Sequence, residues 1–165
     1  MTQDTVIYEF KNAFFILQRS EVGTETGLIA KLEIPCPKEQ MGKAVIGALD
    51  KFDEIQPGLH ERWDYKKLNA QLCAWLGARG VNSLTKNSRM VQVIRDGDKL
   101  EILPFDNHTK QPWYGPMIKD CGFRKEKIFA IPSSSSFETI GKFISDAFEI
   151  ATYHRERKDA RYGQK

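Results

Sequence analysis

The side chains best suited to chemistry in this sequence are cysteines and histidines, and their spacing matches no catalytic or metal-binding motif. The cysteines lie 37 and 48 residues apart, at Cys36, Cys73 and Cys121, and none forms a C-x-x-C pair. The histidines are equally dispersed, at His60, His108 and His154. The sequence also lacks glycine-rich phosphate loops and the G-x-S-x-G nucleophile motif. We therefore predict buried, reduced thiols, no metal, no cofactor and no catalytic residue.

Two weaker patterns leave room for other chemistry. The serine run 133–136 could supply a nucleophile, but Ser135 and Glu138 have the S-x-x-E spacing of a capping box, which predicts the start of a helix. A thiol enzyme that uses Cys121 with His108 or His60 stays open as an alternative, because such pairs form only in the fold. It would require a cysteine with a lowered pKa.

Length and composition favour one folded domain over residues 1–165, with a basic C-terminal tail from about residue 155. The chain has 165 residues, close to the size of one domain, and no apolar run near the ~20 residues of a membrane span. No signal peptide is recognisable at the N-terminus, so we expect a cytoplasmic protein. The net charge of +3 is too small to indicate a nucleic-acid partner by itself.

Hydrophobic periodicity predicts an α+β fold with a mostly antiparallel central sheet of about five strands, packed by about three helices. A tight type I′ turn is expected at Asp96-Gly97, between two apolar runs. Strands are predicted over 13–17, 28–34, 90–94, 100–103 and 127–131, and helices over 39–52, 64–77 and from about 135.

One internal similarity stands out. Residues 32–52 resemble residues 129–148, since both run from a strand through Ile-Pro and a polar segment into an amphipathic helix with an early glycine. We interpret them as two similar strand-to-helix corners of one domain. Gly42 and Gly141 occupy equivalent places, which predicts close packing of each helix against the sheet.

The segment 105–124 is the best candidate for an interaction surface. It has no helical or strand periodicity, and a loop of this length in a compact domain is often functional. It carries Trp113, Tyr114 and Arg124, residue types enriched at interface hot spots. A second, basic group could serve an RNA-binding protein or nuclease accessory, our alternative function, through Arg79, Lys86, Arg89 and Arg95.

Five stretches together resemble the immunity proteins of contact-dependent growth inhibition (CDI) systems in Gram-negative bacteria. They are LIAKLEIP followed by MGKAVIGAL, LCAWLGARGVNSLTKNSRMVQV, DGDKLEILPF, and IFAIPSSSSFETIGKFI. The resemblance spans about residues 12–150 and rests on scaffold motifs. It implies a non-enzymatic inhibitor that binds one cognate toxin domain, often a nuclease, with 1:1 stoichiometry expected. No membrane, small-molecule or direct nucleic-acid partner is expected.

The resemblance carries no toxin-contacting residue over to this chain, so the candidate contacts come from the loop and from charge. Inhibitors of basic nucleases are commonly acidic, whereas this chain is net basic and has its acidic excess in residues 1–55. Candidate partner-binding residues are therefore His108, Lys110, Trp113, Tyr114, Arg124, Asp53 and Glu54.

Overall fold

The computed structural model describes residues 2–20, 23, 25–52, 64–105 and 128–153, which form six strands and four helices. The strands are β1 (Thr2–Phe10), β2 (Ala13–Arg19), β3 (Glu25–Glu33), β4 (Arg89–Asp96), β5 (Lys99–Pro104) and β6 (Phe129–Pro132). The helices are α1 (Lys38–Asp50), α2 (Tyr65–Leu76), α3 (Val81–Lys86) and α4 (Phe137–Ile150). All strand pairs are antiparallel, in the order β3-β2-β1-β4-β5-β6.

This order divides the sheet into two equivalent units, each made of three consecutive strands and a helix. The first unit is β1, β2, β3 and α1, and the second is β4, β5, β6 and α4. Their registers correspond: Ala13 pairs with Glu33 in the first unit, as Lys99 pairs with Pro132 in the second. β1 and β4 join the units at the centre of the sheet. The similarity between the two strand-to-helix corners therefore extends over both complete units.

The two unit helices meet through a reciprocal glycine contact. A Cβ atom on Gly42 would lie 2.0 Å from the carbonyl oxygen of Phe137, and one on Gly141 would lie 1.9 Å from that of Lys38. Each glycine thus packs on the residue four positions before the other glycine. We expected these glycines to pack each helix closely against the sheet. That prediction was wrong, because the glycines pack the two helices against each other.

The central hairpins turn within two residues. Lys11 and Asn12 both have positive φ, 48° and 60°, as a type I′ turn requires. In the β4–β5 hairpin the turn residues are Gly97 and Asp98, and of these only Gly97 has positive φ, at 59°. The type I′ prediction at Asp96-Gly97 was therefore wrong by one residue and in turn type.

Both faces of the sheet are covered by helices. Neighbouring residues of β1 belong to different clusters, Ile7 to one and Val6 and Tyr8 to the other, because successive side chains of a strand point to opposite faces. The first cluster packs the sheet against α1 and α4, and the second packs it against α2 and α3. Burial of each large aliphatic side chain in these clusters contributes about 1.5–3 kcal/mol.

The α+β prediction and its antiparallel sheet are confirmed, with one more strand and one more helix than expected. β1 and the short α3 were missed. The N-cap of α4 is Ser136 rather than Ser135, and its hydroxyl accepts the Thr139 N–H at 3.1 Å. No helix of the described ranges is long and apolar enough to cross a membrane. The basic tail predicted from about residue 155 lies outside the described residues.

Candidate functional site

The described cysteines are not activated for nucleophilic chemistry. Cys73 is buried and Cys36 partly buried, and both are free thiols. Burial raises the pKa of each thiol, and at Cys36 the nearby Lys38 ammonium only partly opposes this effect. Over the described residues, no group of three or more His, Cys, Asp and Glu side chains is placed to hold a metal ion. Cys121 lies outside the described part, as do the three histidines.

The predicted partner-binding residues also lie outside the described residues. The candidate loop lies between Phe105 and residue 128, the two described residues that flank it. Asp53 and Glu54, which follow α1, also lie outside the described residues. These predictions therefore stay untested: His108, Lys110, Trp113, Tyr114, Arg124, Asp53 and Glu54.

The basic group considered for RNA binding is divided by the fold. Arg89 donates to Glu9, with 2.6 Å between Nη2 and Oε2, and to the carbonyl oxygen of Phe148 at 2.8 Å. Arg95 contacts Asp50 at 2.8 Å and donates to the Gln3 side chain. Both guanidinium groups lie near the C-terminal ends of unit helices, where a cation is favoured by the helix dipole. These two arginines therefore stabilise the fold instead of forming an exposed patch.

A second charged network lies on the opposite face of the sheet. The Asp4 carboxylate accepts from Arg19 at 2.5 Å and from Gln92 at 2.6 Å. The hydroxyl of Tyr8 donates to Glu25 at 3.3 Å. Around Arg19 of β2, Asp4 and Tyr8 come from β1, Gln92 comes from β4 and Glu25 comes from β3. The network therefore connects β2 and β3 to the central strands β1 and β4.

An open groove lies at the start of α4. It is lined by the serine run 133–136, by Phe137 and by the first-turn acids Glu39 and Glu138 of the two unit helices. Phe137 is 40% exposed, the largest exposure of a large apolar side chain within the described ranges. The serines act here in the helix cap and the preceding turn, which agrees with their predicted structural role.

Exposed basic side chains lie on the outer side of α2 and α3 and in the short connection between these helices. Both helices bury one side on the same face of the sheet, through Leu72, Leu76 and Leu84. Their other sides are exposed, and residues 65–88 contain no acidic side chain. We call this the α2–α3 basic surface, defined by the exposed residues Lys66, Lys67, Arg79 and Lys86.

Sequence reasoning found only half of this surface. It grouped Arg79 and Lys86 with the two arginines of β4, because those residues are close in sequence. Lys66 and Lys67 were missed, although a run of 24 residues with four basic and no acidic side chains is visible in the sequence. The informative signal was the missing acids over 65–88.

Comparison with known proteins identifies the fold and a family. The model of the CdiI family, described as CDI immunity protein, matches residues 10–151. A protein of unknown function from Neisseria meningitidis has a similar structure, with a TM-score of 0.69, 19% identity, and coverage of 92% of this chain and 96% of that chain. A chain of the CdiA-CT/CdiI toxin and immunity complex from Yersinia pseudotuberculosis is also similar, with a TM-score of 0.67, 15% identity, and coverage of 90% and 97%. No curated protein matches the sequence.

Proposed function

The chain belongs to the family of CDI immunity proteins, whose role is to neutralise a CDI toxin, and we propose that it does so by binding the C-terminal toxin domain of one cognate effector. The family match over most of the chain carries this proposal. The similar Yersinia structure, which is a toxin and immunity complex, supports a toxin domain as the partner. The sequence resembles CDI immunity proteins, whose toxins are often nucleases, and we therefore propose a nuclease toxin.

The proposed mechanism is non-catalytic occlusion in the cytoplasm. One immunity protein binds one toxin domain and blocks its active site or the path of its substrate. Nanomolar affinity corresponds to about 12 kcal/mol of binding free energy, most of which comes from a few anchoring residues in typical interfaces.

We propose that the long connection between β5 and β6 contributes the anchoring residues. Its counterpart in the first unit, between β2 and β3, needs only residues 20–24 to join strands of the same register. In the second unit the corresponding connection, between β5 and β6, consists of residues 105–128. The extra length is not required for strand pairing, which favours a role in binding. The proposed contacts are His108, Lys110, Trp113, Tyr114 and Arg124, with Asp53 and Glu54 from the segment after α1.

Co-expression with the toxin tests the function. The tagged protein would be produced with the C-terminal domain of the large exoprotein encoded by the adjacent gene, and growth and complex formation would be measured. We expect a stable 1:1 complex and relief of toxicity. Persistent toxicity without a complex, when both proteins are folded, would contradict the proposal.

A double substitution tests the contribution of the loop. Trp113→Ala with Tyr114→Ala should weaken toxin binding at least about 100-fold, because aromatic anchors dominate interface energetics. Arg157→Ala with Lys158→Ala, in the basic tail, is the matched control and should change affinity less than about threefold. Unchanged affinity of the aromatic variant would remove the loop from the interface while leaving the function intact.

A further inference from the structure

We propose, resting on the proposed function, that the α2–α3 basic surface belongs to the toxin interface and docks on an acidic patch of the toxin domain. The surface is defined by Lys66, Lys67, Arg79 and Lys86, all of which are exposed. Its position, charge and rigidity each favour this assignment.

The backbone that carries these charges is firmly held. The Asp64 side chain caps α2 by accepting the Lys67 N–H at 3.0 Å. At the other end Gly77 adopts the left-handed conformation, with φ of 66°, and its carbonyl oxygen accepts Lys11 Nζ at 2.6 Å. Leu84 of α3 is fully buried. Charges on rigid elements lose little backbone entropy when a partner binds, which favours a preformed docking surface.

The basic charge is concentrated outside the two equivalent units. Residues 65–88 have four basic and no acidic side chains. The units, over 2–52, 89–104 and 128–153, have ten basic and thirteen acidic side chains. The α2–α3 segment has no counterpart within either unit. An acidic patch on a partner would therefore be attracted to this segment and repelled by the net negative charge of the two units.

The surface also lies beside the end of β5, after which the proposed binding segment follows in the chain. Phe105, the first residue after β5, packs in the same buried cluster as Leu72, Leu76 and Leu84. Its N–H donates to the Met90 carbonyl oxygen at 3.0 Å, which fixes the point where the loop leaves the sheet. The last described residue before the proposed binding segment therefore lies beside α2 and α3.

The charge distribution favours a folded protein over a nucleic acid as the occupant. Four cations would neutralise about four phosphates, which gives weak, strongly salt-dependent binding beside two units that have three more acidic than basic side chains. An acidic patch on a folded toxin domain needs only this limited area. Ala70 and Ala74 lie exposed on α2 and permit close approach of a partner surface.

Neutralisation of the surface tests the proposal. The variant K66Q/K67Q/R79Q/K86Q would be compared with K31Q/K43Q/K51Q/K142Q, which removes four exposed positive charges from the two units. Association with the purified cognate toxin domain would be followed by stopped-flow fluorescence at 50 and 200 mM NaCl. We expect the association rate constant of the first variant to fall at least about tenfold at low salt, with a smaller difference at high salt. The control should change less than about threefold.

The outcomes separate the two proposals. Circular dichroism and thermal unfolding would first establish that both variants fold as the wild type does. A wild-type rate for the first variant, or equal losses in both variants, would overturn the docking surface alone. A wild-type protein that does not bind the toxin domain would overturn the proposed function and this inference with it. Tight binding of a 20-nucleotide RNA by the wild type, lost in the first variant, would identify a nucleic-acid site instead.

Discussion

The two units of the sheet have the same strand register and pack their helices through equivalent glycines. The side chains that bind the C-terminal ends of the two unit helices, α1 and α4, are different. Near the C-terminal end of α4, Arg89 contacts Glu9 and the Phe148 carbonyl oxygen. Near the end of α1, Arg95 contacts Asp50 and Gln3. Both arginines come from β4, so the second unit supplies the cation at both ends of the central pair. The backbone pattern is therefore more symmetric than the chemistry that stabilises it.

The units also differ in what is added to them. The connection between β2 and β3 is short, whereas that between β5 and β6 is long, and α2 with α3 lies between the units in the chain. The additions carry the proposed toxin contacts and the basic surface, while the units carry the sheet and its helix layer. This comparison separates residues that maintain the fold from residues that we propose bind the toxin, and each group can be tested by substitution.

The largest effect is expected at the glycine crossing. Gly42→Ala and Gly141→Ala should each lower the free energy of unfolding by about 3 kcal/mol, since the new methyl group would overlap a carbonyl oxygen of the other helix. Urea denaturation would measure both losses. Gly47→Ala is the matched control in α1, because nothing lies within 4 Å of its Cβ position. It should stabilise the protein by up to about 1 kcal/mol through helix propensity. Similar losses at all three glycines would refute the reciprocal contact.

The next effect should distinguish the two arginines. Arg89→Gln should cost about 2 kcal/mol, because it leaves the Glu9 carboxylate, whose side chain is 16% exposed, without its ion pair. Arg95→Gln should cost about 1 kcal/mol, since Asp50 is 60% exposed and water can replace its partner. Chemical denaturation of both variants would measure the difference. Equal losses would mean that the two helix ends are held equally strongly.

A smaller effect is expected where the unit helices begin. Ser136→Ala should lower the free energy of unfolding by about 1 kcal/mol, through loss of the hydroxyl that caps α4. α1 begins after Pro37 without a side-chain cap, so the first unit has no corresponding bond to lose. Ser134→Ala, at an exposed neighbouring serine, should change stability by less than about 0.5 kcal/mol in the same denaturation assay. A large effect at Ser134 would place the cap elsewhere.

The smallest effect concerns pH and a thiol that the corner of the first unit has and the corner of the second unit lacks. Cys36 follows β3, and the register of the second unit places Ser135 at the equivalent position. Burial raises the pKa of Cys36 above its ordinary value of 9.0, so its contribution is present below that value and lost as pH rises above it. Wild-type stability should therefore fall more between pH 8 and 10.5 than that of Cys36→Ser. Identical pH profiles from urea titrations would show that this thiol does not titrate differently on folding.

Local sequence patterns were sufficient for the elements with one buried face. The alternation in β3 and the apolar stripe of α4 identified both, and Gly77 marked the end of α2. β1 was missed because it is central and covered on both faces, which removes the alternation. Its polar residues Thr5 and Glu9 are explained by partners distant in sequence, the Leu17 carbonyl oxygen and Arg89.

The candidate site was harder to predict for a related reason. Arg89 looked like part of a basic patch because its neighbours in sequence are basic, but its contacts lie 80 and 59 residues away. Exposure, which decides whether a basic residue can meet a partner, depends on those distant contacts. The aromatic and acidic contacts predicted in the loop and after α1 stay predictions.

The division into units also has a consequence for how the chain folds. Within a unit, paired residues such as Phe10 and Ala13 are close in sequence. The central seam, which is the pairing of β1 with β4, joins residues as distant in sequence as Thr2 and Asp96. Closure of long loops costs more entropy, so we expect hairpins of each unit to form early and the seam to form late. Substitutions at the glycine crossing should then accelerate unfolding and leave the refolding rate almost unchanged. Separation of β1 from β4 would then control how fast the native protein unfolds.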